Sequence, residues 1–320
     1  WTEPVRETKS ALNRYVNSAR PEPTAIDSML DTPAARHGVS LAMLDADARR
    51  AEKPLYQLLG TDERVETVPA NATIGDDDEP ATTAAAESAS AEGFSCLKLK
   101  VGSRSVDADI ERIEAVRERL PDIDIRLDAN GAWTRDQARR AIDRLRPFDI
   151  DYLEQPIGPD DLRGLEGLRG HIDIAVDESL RVVDLDEIIA TEAADVIVIK
   201  PMVVGGIDRA RRLAIRARES GLEVVVSNTT EVGIQLDRDD RMDRDPPRSF
   251  PGKLTAVLHE RYRTLGKEEA AGLTVVPTEL IEQNGDALER IVLQLAREWD
   301  LGGPFRDWVR ASNQFCNSLV

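Results

Sequence analysis

The feature that most constrains the fold is an alternation, from Glu66 to Gln235, of short apolar runs with amphipathic stretches. The runs are rich in β-branched residues and have the length of buried strands. The stretches between them carry apolar residues at helical spacing. The predicted strands are Thr67–Ile74, Ser95–Val101, Ile123–Ala129, Asp151–Ile157, Ile172–Asp177, Val196–Met202 and Leu222–Asn228.

Strands that alternate with helices form parallel sheets, which are either open or closed into a barrel. An open nucleotide-binding sheet usually carries a glycine-rich phosphate loop, and no GxGxxG motif follows the early strands. The pattern therefore predicts an α/β barrel, in which catalytic side chains stand at the carboxyl ends of the strands. Before the barrel, Thr2–Gly60 is predicted to be mostly helical, with one helix starting at Pro33.

Charged residues end five successive predicted strands. In chain order they are Lys98 with Lys100, Asp128, Glu154, Asp177 and Lys200. Alternation along a strand places Lys98 and Lys100 on the same face. Taken singly, alternate lysines usually mark a solvated strand, and a strand-end acid usually caps the next helix. Five such strand ends, spaced about one βα unit apart, instead predict a ring of charged side chains at one end of the barrel.

Three converging carboxylates repel one another unless a cation lies between them, and oxygen ligands suit Mg2+. Such a cation stabilises the charge that develops when an α-proton is removed from a bound carboxylate substrate. A neighbouring cation also lowers the pKa of a lysine toward neutrality, so Lys100 and Lys200 can move protons. Cys96 and Cys316 are far apart and the three histidines are scattered, so we expect oxygen ligands only.

These strand ends resemble the enolase superfamily, through Lys98–Lys100, Asp128–Asn130, Glu154–Pro156, Asp177–Ser179 and Lys200-Pro201. The resemblance covers about residues 1–235 and implies an enolase-type (β/α)7β barrel with an N-terminal α+β capping domain. Within the superfamily, Leu127–Trp133, Gly205-Gly206 and Trp1–Glu3 are most similar to o-succinylbenzoate synthases.

That similarity implies a lyase that uses Mg2+ in the syn dehydration of a cyclohexadiene carboxylate to o-succinylbenzoate, a step of menaquinone biosynthesis. Lys100 would remove the α-proton and then protonate the departing hydroxyl. Lys200 would balance charge on the opposite face, and Lys98 would lie near the substrate carboxylate. The implied metal ligands are Asp128, Glu154 and Asp177, and the candidate substrate contacts are Asn130, Ser227 and Asn228.

Two other functions stay open. A superfamily racemase of N-acyl amino acids, or an epimerase of dipeptides, would use Lys100 and Lys200 as opposed bases on the two faces of the substrate. A third possibility is a catalytically silent truncated fusion.

The resemblance is incomplete on both sides of the barrel. Residues 1–62 predict a truncated capping domain, because the family's first strands are missing before Trp1. Residues 63–235 predict the barrel without a recognisable eighth strand, and residues 236–252 a linker rich in Asp, Arg and Pro. We hypothesise that Leu273–Pro277 replaces the missing strand.

Residues 253–320 predict an atypical α/β tail, with helices at Leu254–Leu265 and Gly285–Leu301. From about Pro246 the tail resembles part of the tagaturonate reductase and mannitol dehydrogenase family. The similarity lies in Pro277–Ile281, Asn284–Asp286 and Asn313–Val320. The tail lacks a glycine-rich dinucleotide turn, so it predicts no dehydrogenase activity.

The charge balance limits the partners. Asp and Glu number 60 against 42 Lys and Arg, which gives a formal net charge of −18. An acidic surface repels nucleic acid and anionic lipid, and a salt-adapted source would explain it. No apolar run approaches the roughly 20 residues that span a bilayer, and no signal-peptide pattern opens the chain. We expect a cytoplasmic enzyme with a small-molecule carboxylate substrate; a homo-oligomeric state is left open.

Overall fold

The structure is a computed structural model that describes residues 2–17, 26, 29–60, 68–226, 234, 236–237, 239–244, 247, 249–265, 272–275 and 283–316. The chain divides into two compact units, Trp1–Thr229 and Thr230–Val320. Among the described residues, every helix is too short or too polar to cross a membrane.

The first unit is built on seven parallel strands that neighbour one another in chain order. They are β1 (Ala72–Ile74), β2 (Cys96–Lys100), β3 (Asp124–Asp128), β4 (Ile150–Glu154), β5 (Asp173–Val176), β6 (Val196–Ile199) and β7 (Glu223–Val226). The predicted α/β fold with seven parallel strands is confirmed. The strands are shorter than predicted at several ends; β5 stops before Asp177 and β6 before Lys200.

Helices between the strands cover the sheet. They are α4 (Glu79–Ala91), α5 (Val106–Arg119), α6 (Arg135–Leu145), α7 (Leu162–Glu166), α8 (Leu185–Ala190) and α9 (Ile207–Glu219). Strands buried on both faces explain the continuous apolar runs, and all four residues of β6 are buried. The Thr134 side chain accepts a hydrogen bond from Gln137 N and so fixes the start of α6. Side-chain caps of the same kind start α4 at Asp78, α5 at Ser105 and α7 at Asp161.

Three further helices precede the sheet: α1 (Val5–Asn17), α2 (Pro33–Arg50) and α3 (Leu55–Leu59). For the described residues of this segment the helical prediction is confirmed, and so is the helix start at Pro33. Helix α2 packs on α1 and on α9. Arg36 of α2 is 2% exposed and pairs with Asp208 of α9. Burial acts to raise the pKa of Asp208, but the hydrogen bonds and charge of Arg36 hold it well below its ordinary value.

The second unit contains α10 (Phe250–Leu265), α11 (Asn284–Glu298) and α12 (Gly303–Ser312). They bury an apolar cluster that includes Leu258, Val292 and Phe305. Helix α10 begins four residues before the predicted Leu254, because Ser249 Oγ accepts a hydrogen bond from Gly252 N at 2.9 Å and caps it. The sequence interpretation missed α12.

The hypothesis that Leu273–Pro277 replaces a barrel strand is wrong for its described part. Strand β8 (Thr274–Val275) pairs in parallel with β9 (Gln314–Phe315), and the two form a separate sheet. Leu273 N also donates a hydrogen bond to Asn313 Oδ1 at 2.9 Å. A short β-branched run indicates a strand but carries no information about its partner, which here lies near the end of the described residues.

Candidate active site

Neighbouring strand ends bring the predicted charges together. In the sheet register Lys100 of β2 lies beside Asp128 of β3, and Asp128 lies beside Glu154 of β4. Asp177 follows β5 directly, and Lys200 follows β6. The strand order therefore sets three acids in a row, with a lysine strand on each side of them.

Two lysines of β2 contact the first two acids. Lys98 Nζ lies 2.9 Å from Asp128 Oδ2 and 2.6 Å from Glu154 Oε2. Lys100 Nζ lies 2.8 Å from the same oxygen of Asp128. The β2 ammonium groups thus compensate part of the charge of these two acids.

The third acid has its own lysine. Lys200 Nζ lies 2.5 Å from Asp177 Oδ2, and both side chains are nearly buried. Lys200 therefore approaches the row of acids from the side opposite to Lys98 and Lys100.

Burial controls the electrostatics of the acids. Asp128 and Glu154 are 0% exposed, and Asp177 is 4% exposed. Burial raises the pKa of Glu154 and of Asp177 above their ordinary values, and the lysines offset only part of this effect. Burial acts to raise the pKa of Asp128 as well, but Lys98 and Lys100 together hold it below its ordinary value.

The pKa of Lys98 makes it unsuited to act as a base. Burial acts to lower its pKa, but the adjacent charges of Glu154 and Asp128 raise the pKa of Lys98 well above its ordinary value. These contacts favour the protonated form of Lys98. An ammonium group can pair with an anionic substrate group but cannot accept a proton.

The acids suit a hard cation by donor type and by burial. Oxygen donors are the ligands that Mg2+ takes, and Glu154 Oε1 is buried without a hydrogen-bond partner among the described residues. In the same part of the chain, no three acidic, histidine or cysteine side chains already form a group that could hold a metal ion. The acids instead turn oxygens toward the lysines, so the metal-ligand roles of Asp128, Glu154 and Asp177 stay a prediction.

Asn130, predicted as a substrate contact, bonds to protein groups. Its Oδ1 accepts a hydrogen bond from Lys100 Nζ at 3.0 Å, and its Nδ2 donates to Glu178 Oε1 at 3.0 Å. Its φ of 45° is a left-handed conformation that Asn tolerates better than most residues. The substrate role of Asn130 stays a prediction. The other two candidates, Ser227 and Asn228, lie outside the described residues.

Gln155 is a site residue that the sequence interpretation missed. It is 0% exposed, and its Oε1 accepts hydrogen bonds from Asp177 N at 3.2 Å and Ser179 N at 3.1 Å. Its φ of 39° is strained for a residue other than glycine. Gln155 therefore ties the end of β4 to the turn that carries Asp177. The only signal in the sequence was an amide residue between Glu154 and Pro156.

Comparison with known proteins identifies the family. Residues 81–238 match the family described as Enolase C-terminal domain-like. The chain is 37% identical over 210 residues to the hydrophobic dipeptide epimerase of Enterococcus faecalis (strain ATCC 700802 / V583). The crystal structure of the dipeptide epimerase from E. faecalis V583, complexed with Mg and L-Leu-L-Tyr, matches with a TM-score of 0.66 and 32% identity. This chain belongs to the enolase superfamily, and its sheet is that of an enolase-type α/β barrel.

These similarities cover only part of each protein. The sequence similarity covers 63% of this chain and 58% of the epimerase, so the chain spans less than two thirds of that protein's length. The structural match covers 72% of this chain and 69% of the E. faecalis chain. Both matches are to a dipeptide epimerase of E. faecalis V583, which favours the alternative drawn from the sequence over the o-succinylbenzoate synthase similarity.

A second, unrelated similarity is also present. The chain is 44% identical over 104 residues to the altronate oxidoreductase of Bacillus subtilis (strain 168), which covers 32% of this chain and 22% of that protein. The sequence predicted that the tail resembles part of the tagaturonate reductase and mannitol dehydrogenase family, and this match is likewise to a fragment of an oxidoreductase. The match therefore covers less than a quarter of the oxidoreductase's length.

Proposed function

We propose that this chain is an isomerase that epimerises a dipeptide at the α-carbon next to its free carboxylate. The observation that carries the proposal is the strand order, which sets Lys100 and Lys200 on opposite sides of three buried acids. Inversion at carbon needs a proton to leave one face and another to arrive on the other face, so it needs two such groups. The similarity to dipeptide epimerases supports this choice of substrate class.

The acids are proposed to hold Mg2+ through oxygens of Asp128, Glu154 and Asp177. The E. faecalis epimerase structure was solved with Mg, which supports that choice of ion. When bound, the ion would supply positive charge to stabilise the carboxylate as its α-proton is lost. Lys98, which stays protonated between Asp128 and Glu154, would orient the substrate carboxylate by charge.

The two remaining lysines carry the proton transfers. Lys100 Nζ and Lys200 Nζ are now paired with Asp128 and Asp177, so each must turn from its acid to the α-carbon before it reacts. In one direction Lys100 takes a proton as a neutral amine and Lys200 gives one as an ammonium. In the reverse direction the roles exchange.

The dehydration predicted from the o-succinylbenzoate synthase similarity needs only one group that moves protons. In that reaction Lys100 would serve both steps and Lys200 would contribute charge alone. The similarity to epimerases does not support this reaction, so the dehydration serves as the comparison reaction in the experiment.

The experiment is solvent-proton exchange with the full chain, Mg2+ and L-Leu-L-Tyr in D2O. We expect deuterium to enter the tyrosine α-position, which is next to the carboxylate, and the L,D diastereomer to form. Proton NMR follows the exchange and chromatography separates the diastereomers. An N-acyl amino acid and the cyclohexadiene carboxylate are run in parallel. Formation of o-succinylbenzoate without dipeptide exchange would contradict the proposal, and inactivity with every substrate would favour a silent fusion.

A further inference from the structure

The turn between β6 and α9 begins at Lys200 and ends at a pair of glycines. Val203 N and Val204 N donate hydrogen bonds to Lys200 O at 2.9 and 3.0 Å. Gly206 N donates to Pro201 O at 2.8 Å. These bonds make the backbone of Lys200 part of a closed turn, so anything that fixes the far end of the turn also fixes Lys200.

A buried arginine from the N-terminal helix α2 holds that far end. Arg36 Nη1 donates a hydrogen bond to Gly205 O at 2.7 Å. The same guanidinium forms two bonds with Asp208, from Nη1 to Oδ1 and from Nη2 to Oδ2, each 3.0 Å long. Ser40 Oγ, one helical turn further along α2, donates to Asp208 Oδ1 at 3.1 Å. A two-bond fork of this kind fixes direction as well as distance.

The glycines make this close approach possible. A Cβ added to Gly206 would lie 2.6 Å from Asp208 Oδ1 and 3.0 Å from Arg36 Nη1. Gly205 and Gly206 also have φ values of 90° and 143°, which L side chains rarely adopt. The glycine pair is therefore fitted to the arginine and does more than turn the backbone.

We propose that Arg36 is a positioning residue for Lys200, through which helix α2 of the N-terminal segment sets one of the two proton-transferring groups. The inference rests on the proposed function, because it links Arg36 to proton transfer by Lys200 on one face of the substrate α-carbon. The effect of Arg36 passes through Gly205 O and the hydrogen-bonded turn to the backbone of Lys200.

A second arginine, Arg112, contacts the backbone of Lys100. It therefore allows the same experiment on the other face of the substrate. Arg112 of α5 is 2% exposed, and its Nη1 donates to Lys100 O at 3.0 Å. It also bonds to Asp109 Oδ1 at 3.1 Å, while Asp109 Oδ2 accepts from Gly102 N at 2.9 Å. Arg112 thus supports the β2 end that carries Lys100, as Arg36 supports the turn that carries Lys200.

The test measures exchange separately from the two dipeptide diastereomers in D2O. The variants Lys100→Arg and Lys200→Arg first show which diastereomer depends on each lysine. Arg36→Lys keeps the positive charge but cannot form both hydrogen bonds to Asp208. Asp208→Asn is a second variant in case the first does not fold. A misplacement of the reacting group by about 1 Å can cost about 10²-fold in rate, so we expect a loss of that order from the Lys200-dependent diastereomer. Exchange from the other diastereomer should stay at the wild-type rate.

Two control variants show whether the effect is specific to Arg36. Arg49→Lys changes an exposed pair with Asp45 on the same helix α2 and should leave both rates unchanged. Arg112→Lys should lower the rate of the opposite diastereomer. Equal losses from both diastereomers in Arg36→Lys and Asp208→Asn would show a general structural role and overturn the inference, as would no loss from either.

A readout that needs no turnover separates this inference from the proposed function. Labelling by an amine reagent, located by peptide mass, compares Lys200 with Lys100. We expect Arg36→Lys to expose Lys200 to the reagent and to increase amide hydrogen exchange in residues 200–206, without change at Lys100. If the wild type exchanges no substrate proton, the proposed function fails while this labelling still decides the role of Arg36. Unchanged labelling and amide exchange in the variants would overturn that role.

Discussion

Replacing Lys200 by arginine is expected to slow epimerisation by orders of magnitude while exchange persists from one of the two diastereomers. Arginine keeps the positive charge beside Asp177, but it is never neutral in proteins and cannot transfer a proton. Loss of a general acid or base costs about 10²- to 10⁴-fold, so inversion should fall by about that factor. Lys100→Arg should give the complementary result, with exchange lost from the other diastereomer. The measurement is α-proton exchange in D2O for each diastereomer.

The same pair of variants separates inversion from dehydration. A dehydration that uses Lys100 for both proton transfers and Lys200 only for charge would survive Lys200→Arg and fail in Lys100→Arg. Thermal unfolding of each variant shows whether the site still forms. Folded variants in which both diastereomers lose exchange equally would contradict the assignment of one lysine to each face.

Glu154→Gln is expected to remove the response to Mg2+ without lowering the stability of the metal-free chain. Glu154 is fully buried, Oε1 has no hydrogen-bond partner among the described residues, and Asp128 and Asp177 are like charges. Burial raises the pKa of Glu154 to about 7, so its charged form is already disfavoured, and glutamine keeps the shape and an oxygen that can accept a hydrogen bond from Lys98, which lies 2.6 Å from Glu154 Oε2. Lys98 keeps Asp128 as a partner at 2.9 Å.

The measurement is the melting temperature with and without Mg2+, together with the exchange rate. A ligand that binds only the folded state raises the melting temperature. Loss of a residue that merely supports a metal ligand costs about 10- to 100-fold in affinity, so loss of a ligating oxygen should cost at least that much. Glu166→Gln, which changes an exposed pair with Arg163, is the matched control and should keep the wild-type response. A Glu154→Gln chain that is still stabilised by Mg2+ would remove Glu154 from the metal site.

The strand ends were predictable because two periodicities fix them. Alternation within a strand put Lys98 and Lys100 on one face, and the βα repeat put Asp128, Glu154 and Asp177 at the same edge. The sequence could not show that Lys98 lies between two buried acids. Its proposed role as a fixed charge therefore rests on the three-dimensional arrangement.

Long-range contacts explain what else was missed. Gly205-Gly206 was singled out in the sequence only as part of the family similarity, but the structural reason for two glycines is Arg36, which is 169 positions away from Gly205 in the chain. The pairing of β8 with β9 was likewise invisible in a short β-branched run. Subfamily was hard to predict for a related reason: the dehydration and the epimerisation would use the same strand-end residues.

The most direct test of the two-sided site is a crystal structure of the full chain with Mg2+ and L-Leu-L-Tyr. We predict that the ion is bound by oxygens of Asp128, Glu154 and Asp177, and that Lys100 Nζ and Lys200 Nζ approach the tyrosine α-carbon from opposite faces. Both lysines on one face of that carbon, or an ion bound away from the three acids, would contradict it.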